Sequence, residues 1–240
     1  MFHQNLVSRI FNTFILFLTS FGLIAMTQAA ENDATSSPAL VVSYFDVNAG
    51  QAQKAAQILK ELSASSSKED GNLRFEAVQR IGHPDQFAIL EAWKNQDSML
   101  NHQKSESTLK IREKLSPLLR SSYDERPHSN LQVGEISTPV AQSKSGIFVI
   151  THVDIVPTVK DQGIALVKEL TLNSQKDTGN IRFEALTQIS RPNHMTVIEI
   201  WKDQQAISAH ASKVTKREFR EKLSPMSGSL YDERFFKLIN

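Results

Sequence analysis

The chain carries one sequence twice, the second copy following the first at a spacing of 108 residues with no insertion or deletion. Residues 41–126 lie over 149–234, and 31 of those 86 positions are identical. Gly71-Asn72-Leu73-Arg74-Phe75-Glu76-Ala77 returns as Gly179-Asn180-Ile181-Arg182-Phe183-Glu184-Ala185, and Glu91-Ala92-Trp93-Lys94 as Glu199-Ile200-Trp201-Lys202. His102 returns as His210, the run from Arg112 to Pro117 as Arg220 to Pro225, and Tyr123-Asp124-Glu125-Arg126 as Tyr231-Asp232-Glu233-Arg234. A period this long is a whole small domain, not a solenoid unit. Each copy has about 90 to 100 residues, enough for one modest core, so the two units are expected to gain by packing together.

Residues 1–30 stand apart. His3 and Arg9 precede an uncharged apolar run from Phe14 to Met26, and Thr27-Gln28-Ala29-Ala30 offers the small residues of a cleavage site. That order reads as a secretory signal; the alternative is an uncleaved anchor, against which the run is short of the roughly 20 residues that span a bilayer. The mature protein is therefore expected to be periplasmic or secreted, with no membrane segment after cleavage. The chain has no cysteine, so thiol chemistry and thiolate-bound metals are excluded. Its 27 basic and 26 acidic residues balance, which argues against nucleic acid as a partner because phosphate binding needs a basic face.

Within a unit, Val41 to Val47 and Ile147 to Ile155 are β-rich runs. Ala55, Ile58, Leu59 and Leu62, repeated as Gly163, Leu166, Val167 and Leu170, have the i, i+3, i+4, i+7 spacing of a helix stripe. Thr158 and Asp161 read as a helix start. The Gly-Asn pairs at 71–72 and 179–180 turn into a strand ending near Arg80 and Gln188, and the strands Phe87 to Trp93 and Met195 to Trp201 complete hairpins. Both faces of these hairpin strands are apolar, so both need a cover. Helical segments at about 95–104 and 105–115, stopped by Ser116-Pro117, and a last strand at Tyr123 to Arg126 complete β-α-β-β-α-β, a ferredoxin-like order. The fold class is thus α+β, with domains at 39–128 and 146–240, a Ser/Thr/Gln/Pro-rich linker at 129–145, and the two domains pairing sheet to sheet within one chain.

The duplicated histidine is the best chemical lead. His102 follows Met99 by three residues and His210 follows Ile207 by three, which places each on an inward helix face. The alternative is an imidazole bonded to backbone at the edge of the core. Trp93 and Trp201 are the only tryptophans, and core packing is the commoner role for such a residue. Arg74 with Glu76, and Arg182 with Glu184, share a strand face, as ligand-binding groups or as a cross-strand ion pair. Glu91 and Glu199 sit on an apolar face, where a carboxylate must be paired or have a raised pKa. No phosphate loop, dinucleotide fingerprint, HExxH pair or GxSxG elbow is present.

Taken together, the β-α-β-β-α-β order, the Gly-Asn-x-Arg-Phe-Glu strand, the Glu-x-Trp-Lys strand end and the histidine nine residues beyond that tryptophan resemble the antibiotic biosynthesis monooxygenase (ABM) domains of the dimeric α+β barrel superfamily. The resemblance covers about 41–126 and 149–234. It implies domains that pair to close a barrel, within one chain when in tandem, and oxygenation of quinols or anthrones by O₂ with neither metal nor flavin. It further implies His102 and His210 as bases, Arg74 or Arg182 as oxyanion stabilisers, and Trp93, Trp201, Asn72, Asn180, Glu91 and Glu199 as substrate-binding residues. The expected partners are a small aromatic molecule and O₂, with further association of chains left open. Haem-degrading relatives resemble the chain less, because their axial histidine falls about where Arg112 and Arg220 stand, and arginine does not ligate iron. Many relatives carry a second histidine near the places of Ser107 and Thr215. A second reading, from another class, is a non-catalytic module that binds a small ligand or assembles with itself.

Overall fold

The computed structural model describes residues 37–134, 136 and 145–239; the signal expected at 1–30 and most of the 129–145 linker lie outside the described residues. The first repeat runs β1 (Ala39–Asp46), α1 (Ala52–Ser66), β2 (Asn72–Arg80), β3 (Gln86–Trp93), α2 (Gln96–Lys104), α3 (Glu106–Leu115) and β4 (Asp124–Gln132). The second runs β5 (Ile147–Asp154), α4 (Lys160–Ser174), β6 (Asn180–Gln188), β7 (His194–Trp201), α5 (Gln204–Ala211), α6 (Val214–Leu223) and β8 (Asp232–Leu238). The strand β4 continues to Gln132, into the segment read as linker. Thr158 does not cap α4: it lies in a 3-10 turn, Pro157–Val159, that leads into the helix, while Asp161 occupies the first turn.

The strands close one eight-stranded barrel in the order β1-β3-β2-β8-β5-β7-β6-β4. The repeats are joined by their last strands. β4 pairs with its own β1 and with β6 of the other repeat, and β8 pairs with its own β5 and with β2. A closed barrel leaves no free edge.

The two apolar faces of the hairpin strands are covered by different partners. Leu40, Val42, Ala88, Leu90 and Ala92 meet Phe148, Ile150, Ile198 and Ile200 inside the barrel. Phe87, Ile89 and Trp93 face outward onto Leu59, Leu62, Met99 and Leu115 of the first repeat's helices, and Met195, Val197 and Trp201 face Val167, Leu170, Ile207 and Phe219 in the second. Full burial of one such aliphatic side chain is worth about 1.5–3 kcal/mol. Among the described residues, no helix is long and apolar enough to cross a membrane.

Candidate active site

The first repeat's cluster lies between sheet and helices. Asn95 starts α2 by accepting a hydrogen bond from the Ser98 backbone N–H at 2.9 Å, which places Met99 and His102 on the buried face one turn apart. Ser105 ends α2 and caps α3, its Oγ accepting from the Thr108 N–H at 3.2 Å. The imidazole of His102 stacks on Trp93, with ring centroids 4.5 Å apart, and meets Phe75 at 5.5 Å.

Its polar atoms meet side chains rather than backbone. Nδ1 lies 2.9 Å from Glu69 Oε2 and 3.2 Å from Thr108 Oγ1. Nε2 is 3.9 Å from Glu91 Oε2, which accepts the Trp93 indole N–H at 2.9 Å. Burial lowers the His102 pKa by more than Glu69 raises it, so the neutral ring is favoured. Burial raises Glu91 to about 7 despite the indole hydrogen bond. Around them, Arg112 Nη2 pairs with Glu125 Oε2 at 2.6 Å, and its guanidinium lies 5.0 Å from the ring centroid of Tyr123. Burial, then the Glu91 charge, pushes the Tyr123 phenol up. Tyr123 also lines a cleft of about 510 Å³ with Tyr44, Phe45, Asp46, Ser121, Ser122 and Asp124.

The second repeat reproduces the frame. His210 lies against Trp201, with centroids 4.6 Å apart, its Nδ1 is 2.8 Å from Asp177 Oδ2, and Glu199 Oε2 accepts the Trp201 indole N–H at 2.7 Å. Two lysines differ from the first copy. Lys213 pairs with Asp177, and Lys216 reaches Glu233 Oε1 at 3.0 Å, Tyr231 OH at 3.3 Å and Glu199 Oε1 at 3.5 Å. Burial alone would lower the Lys216 pKa, but Glu199, Tyr231 and Glu233 outweigh it and hold the ammonium charged. Burial likewise opposes ionisation of Asp177, and its hydrogen bonds from Lys213 and His210 overcome that and lower its pKa.

The structure thus brings His102, Trp93 and Glu91 together, and likewise His210, Trp201 and Glu199. Asn72 and Asn180 are the strand partners of Trp93 and Trp201 and share their face; the Asn72 Nδ2 is buried with no hydrogen-bond partner, while that of Asn180 donates to the Arg182 carbonyl at 3.2 Å. Arg74 and Arg182 are elsewhere, which corrects their expected place beside the histidines. Past a bulge after Asn72, Arg74 pairs with Ala92 and points into the barrel, as Arg182 does opposite Ile200. There Arg74 Nη1 and Nη2 each lie 2.9 Å from a Glu184 oxygen, and Arg182 Nη1 lies 3.0 Å from Glu76 Oε1. These are ion pairs between the repeats, on the far side of the sheet from both imidazoles.

The family model for antibiotic biosynthesis monooxygenases matches residues 38–114 and again 146–222. The chain belongs to the antibiotic biosynthesis monooxygenase family. Among solved structures, the ABM chain is similar to a "putative monooxygenase" of Fusobacterium nucleatum, at 15% identity and a TM-score of 0.76, over 85% of this chain and 94% of that one. A second "putative monooxygenase", from Lactobacillus acidophilus, gives 13% identity, a TM-score of 0.69 and coverage of 85% and 95%. An anthrone oxidase-like protein gives 9% identity, a TM-score of 0.64 and coverage of 86% and 93%. At these identities the likeness is one of fold, and it spans both ABM repeats. No curated protein is similar enough to count as a match.

Sequence reasoning missed the imidazole partners Glu69 and Asp177. The signal was present: they are equivalent positions that keep a carboxylate while changing residue type, so a comparison restricted to identities passes over them. It also missed Lys213 and Lys216, which stand where the first ABM repeat has Ser105 and Thr108.

Proposed function

We propose that this protein is an exported monooxygenase that needs no cofactor and oxygenates a quinol- or anthrone-like aromatic with O₂. The observation that carries the reading is the buried imidazole of His102, held by Glu69 at Nδ1 and stacked on Trp93 with Nε2 turned toward Glu91. With its Nδ1–H donated to Glu69, the neutral ring presents Nε2 as a base to a phenol or an acidic ring C–H. Glu69 then stabilises the imidazolium, and Glu91, poised near neutrality, can carry the proton onward. The deprotonated ring is electron-rich enough to reduce O₂, and the net change at an anthrone-type carbon is CH₂ + O₂ → C=O + H₂O. Trp93 and Phe75 supply an apolar wall, and Asn72 has a free amide donor to offer a substrate oxygen. The anthrone oxidase-like name of one structural relative supports the substrate class.

One observation favours a second reading, a non-catalytic module that binds a small ligand elsewhere or assembles with itself: His102 is 2% exposed and Trp93 wholly buried, so a substrate reaches them only after α2 or α3 shifts. Aerobic incubation of the mature protein with a panel of quinols and anthrones, following oxygen uptake, separates the two. Uptake that His102→Ala abolishes supports the oxygenase, and uptake with no member of the panel moves the function to ligand binding.

A further inference from the structure

Laid over one another, the two clusters keep their tryptophan, histidine, tyrosine, arginine and two glutamates, and they differ in charge balance. In the first repeat the carboxylates Glu69, Glu91 and Glu125 are met by one cation, Arg112. In the second, Asp177, Glu199 and Glu233 are met by Lys213 and Lys216, with Arg220 packed over Tyr231 at 3.9 Å from the ring centroid. Lys216 is 5% exposed and its ammonium sits among three oxygens, where Thr108 in the first repeat offers only a hydroxyl to His102. A buried lysine is retained there only because those partners offset its desolvation.

We infer that the repeats have divided their labour, so that the first holds the single proton-accepting centre while Lys213 and Lys216 have turned the second into a charge-locked structural core. A site that takes a proton from a substrate needs negative charge in excess, because each proton gained is then an electrostatic relief. Three carboxylates against one cation provide that around His102. Three against three remove it around His210, where the Lys216 ammonium also stands 3.5 Å from Glu199 Oε1. The groups facing Glu91 are consistent with this: Trp93 on its own strand, Glu69 in the turn after α1, His102 on α2, Arg112 on α3, and Tyr123 and Glu125 at the start of β4.

The inference rests on the oxygenase reading, and the test keeps the two apart. Glu69 is a positioning residue that acts through His102, and Asp177 is its counterpart. Glu69→Gln is expected to lower kcat by about 10² or more with KM little changed, and Glu69→Asp, which copies the second repeat, to restore most of it. Asp177→Asn is expected to leave kcat within about twofold, the fold of each variant being checked by circular dichroism. Equal losses from Glu69→Gln and Asp177→Asn would overturn the inference. Carboxyl-carbon NMR titration of Glu91 provides a readout that needs no turnover: Thr108→Lys should lower its midpoint by about one unit or more, as an opposite charge within reach does. Should lysine at 108 prevent folding, Ser105→Lys brings an ammonium to Glu69 from the surface and is expected to move the midpoint in the same direction. An unmoved midpoint in a folded variant overturns the inference, whereas a moved midpoint in a protein that takes up no oxygen retains it and removes the oxygenase.

Discussion

Arg74 of the first repeat and Glu184 of the second meet inside the barrel as a two-pronged pair, Nη1 to Oε1 and Nη2 to Oε2 both at 2.9 Å. Burial alone would raise the Glu184 carboxyl, but Arg182 and Arg74 hold it below the usual range. Removing one partner strands a buried charge, so Arg74→Met should destabilise the protein by about 3–5 kcal/mol in denaturant unfolding. Replacing Arg74, Glu76, Arg182 and Glu184 together with apolar residues of similar volume should cost far less, because no charge is then left alone. A four-site variant as unstable as Arg74→Met would show that packing, not charge, dominates there.

An isolated first repeat, residues 38–134, loses β8 from the edge of β2 and β6 from the edge of β4. It also exposes Leu40, Val42 and Leu90. Its own Arg74 and Glu76 can face those of a second copy as they face Glu184 and Arg182 here, so the expected species is a homodimer. Analytical ultracentrifugation checks this, and a soluble monomer at high concentration would contradict it.

The sequence made the fold readable because its two hairpin strands are apolar on both faces, which no half-solvated sheet permits. The same strands misled the site reading. Arg74 lies two residues from the Asn72 that shares the face of Trp93, yet a bulge between them breaks simple alternation, and period-two counting alone does not tell which side is barrel and which is helix. Glu91 was legible as an anomaly because it interrupts an apolar face. Glu69 was not legible from periodicity, which a turn residue after a helix lacks; only its match with Asp177, a carboxylate in both copies, marked it.

Glu91 should make stability fall as pH rises. Its folded pKa, about 7, stands above the 4.5 of an ordinary glutamate, so the folded state binds the proton more tightly. The contribution is fully present below about pH 4.5 and is lost as pH rises through about 7, to the extent of a few kcal/mol. Glu91→Gln keeps an acceptor for the Trp93 indole and does not ionise. Urea unfolding from pH 4.5 to 8 should show a shallower decline for this variant than for the parent.

His128 gives the opposite slope. It is buried in the barrel, with Nδ1 2.7 Å from the Arg126 carbonyl and Nε2 3.0 Å from Thr196 Oγ1, and burial lowers its pKa from 6.5 to about 4. Its contribution is present above about pH 6.5 and lost as pH falls through about 4, amounting to about 3 kcal/mol. His128→Phe copies Phe236 of the other repeat and should flatten the acid limb of thermal stability by that amount. An unchanged acid limb would assign the sensitivity to other groups, such as His152, which burial also lowers to about 4.

The Gly-Asn turn fixes where α2, and with it His102, can sit. Gly71 has φ +76°, and a Cβ there would lie 2.1 Å from Ser98 Oγ and 2.6 Å from Ser98 Cβ, on the first turn of α2. Gly82 has φ +79° and nothing within 4 Å of such a Cβ. Gly82→Ala should therefore show only the left-handed backbone penalty, about 1–2 kcal/mol, while Gly71→Ala adds the clash and must push α2 outward. The excess should appear as a larger stability loss and as a change in Trp93 fluorescence, because the His102 ring that stacks on the indole moves with the helix. Ser98→Gly removes the clashing atoms and should recover most of the excess in the double variant, though none of the backbone penalty. Equal effects of Gly71→Ala and Gly82→Ala would show that α2 is free to shift without cost, and would remove the turn from the set of features that hold the imidazole against Trp93.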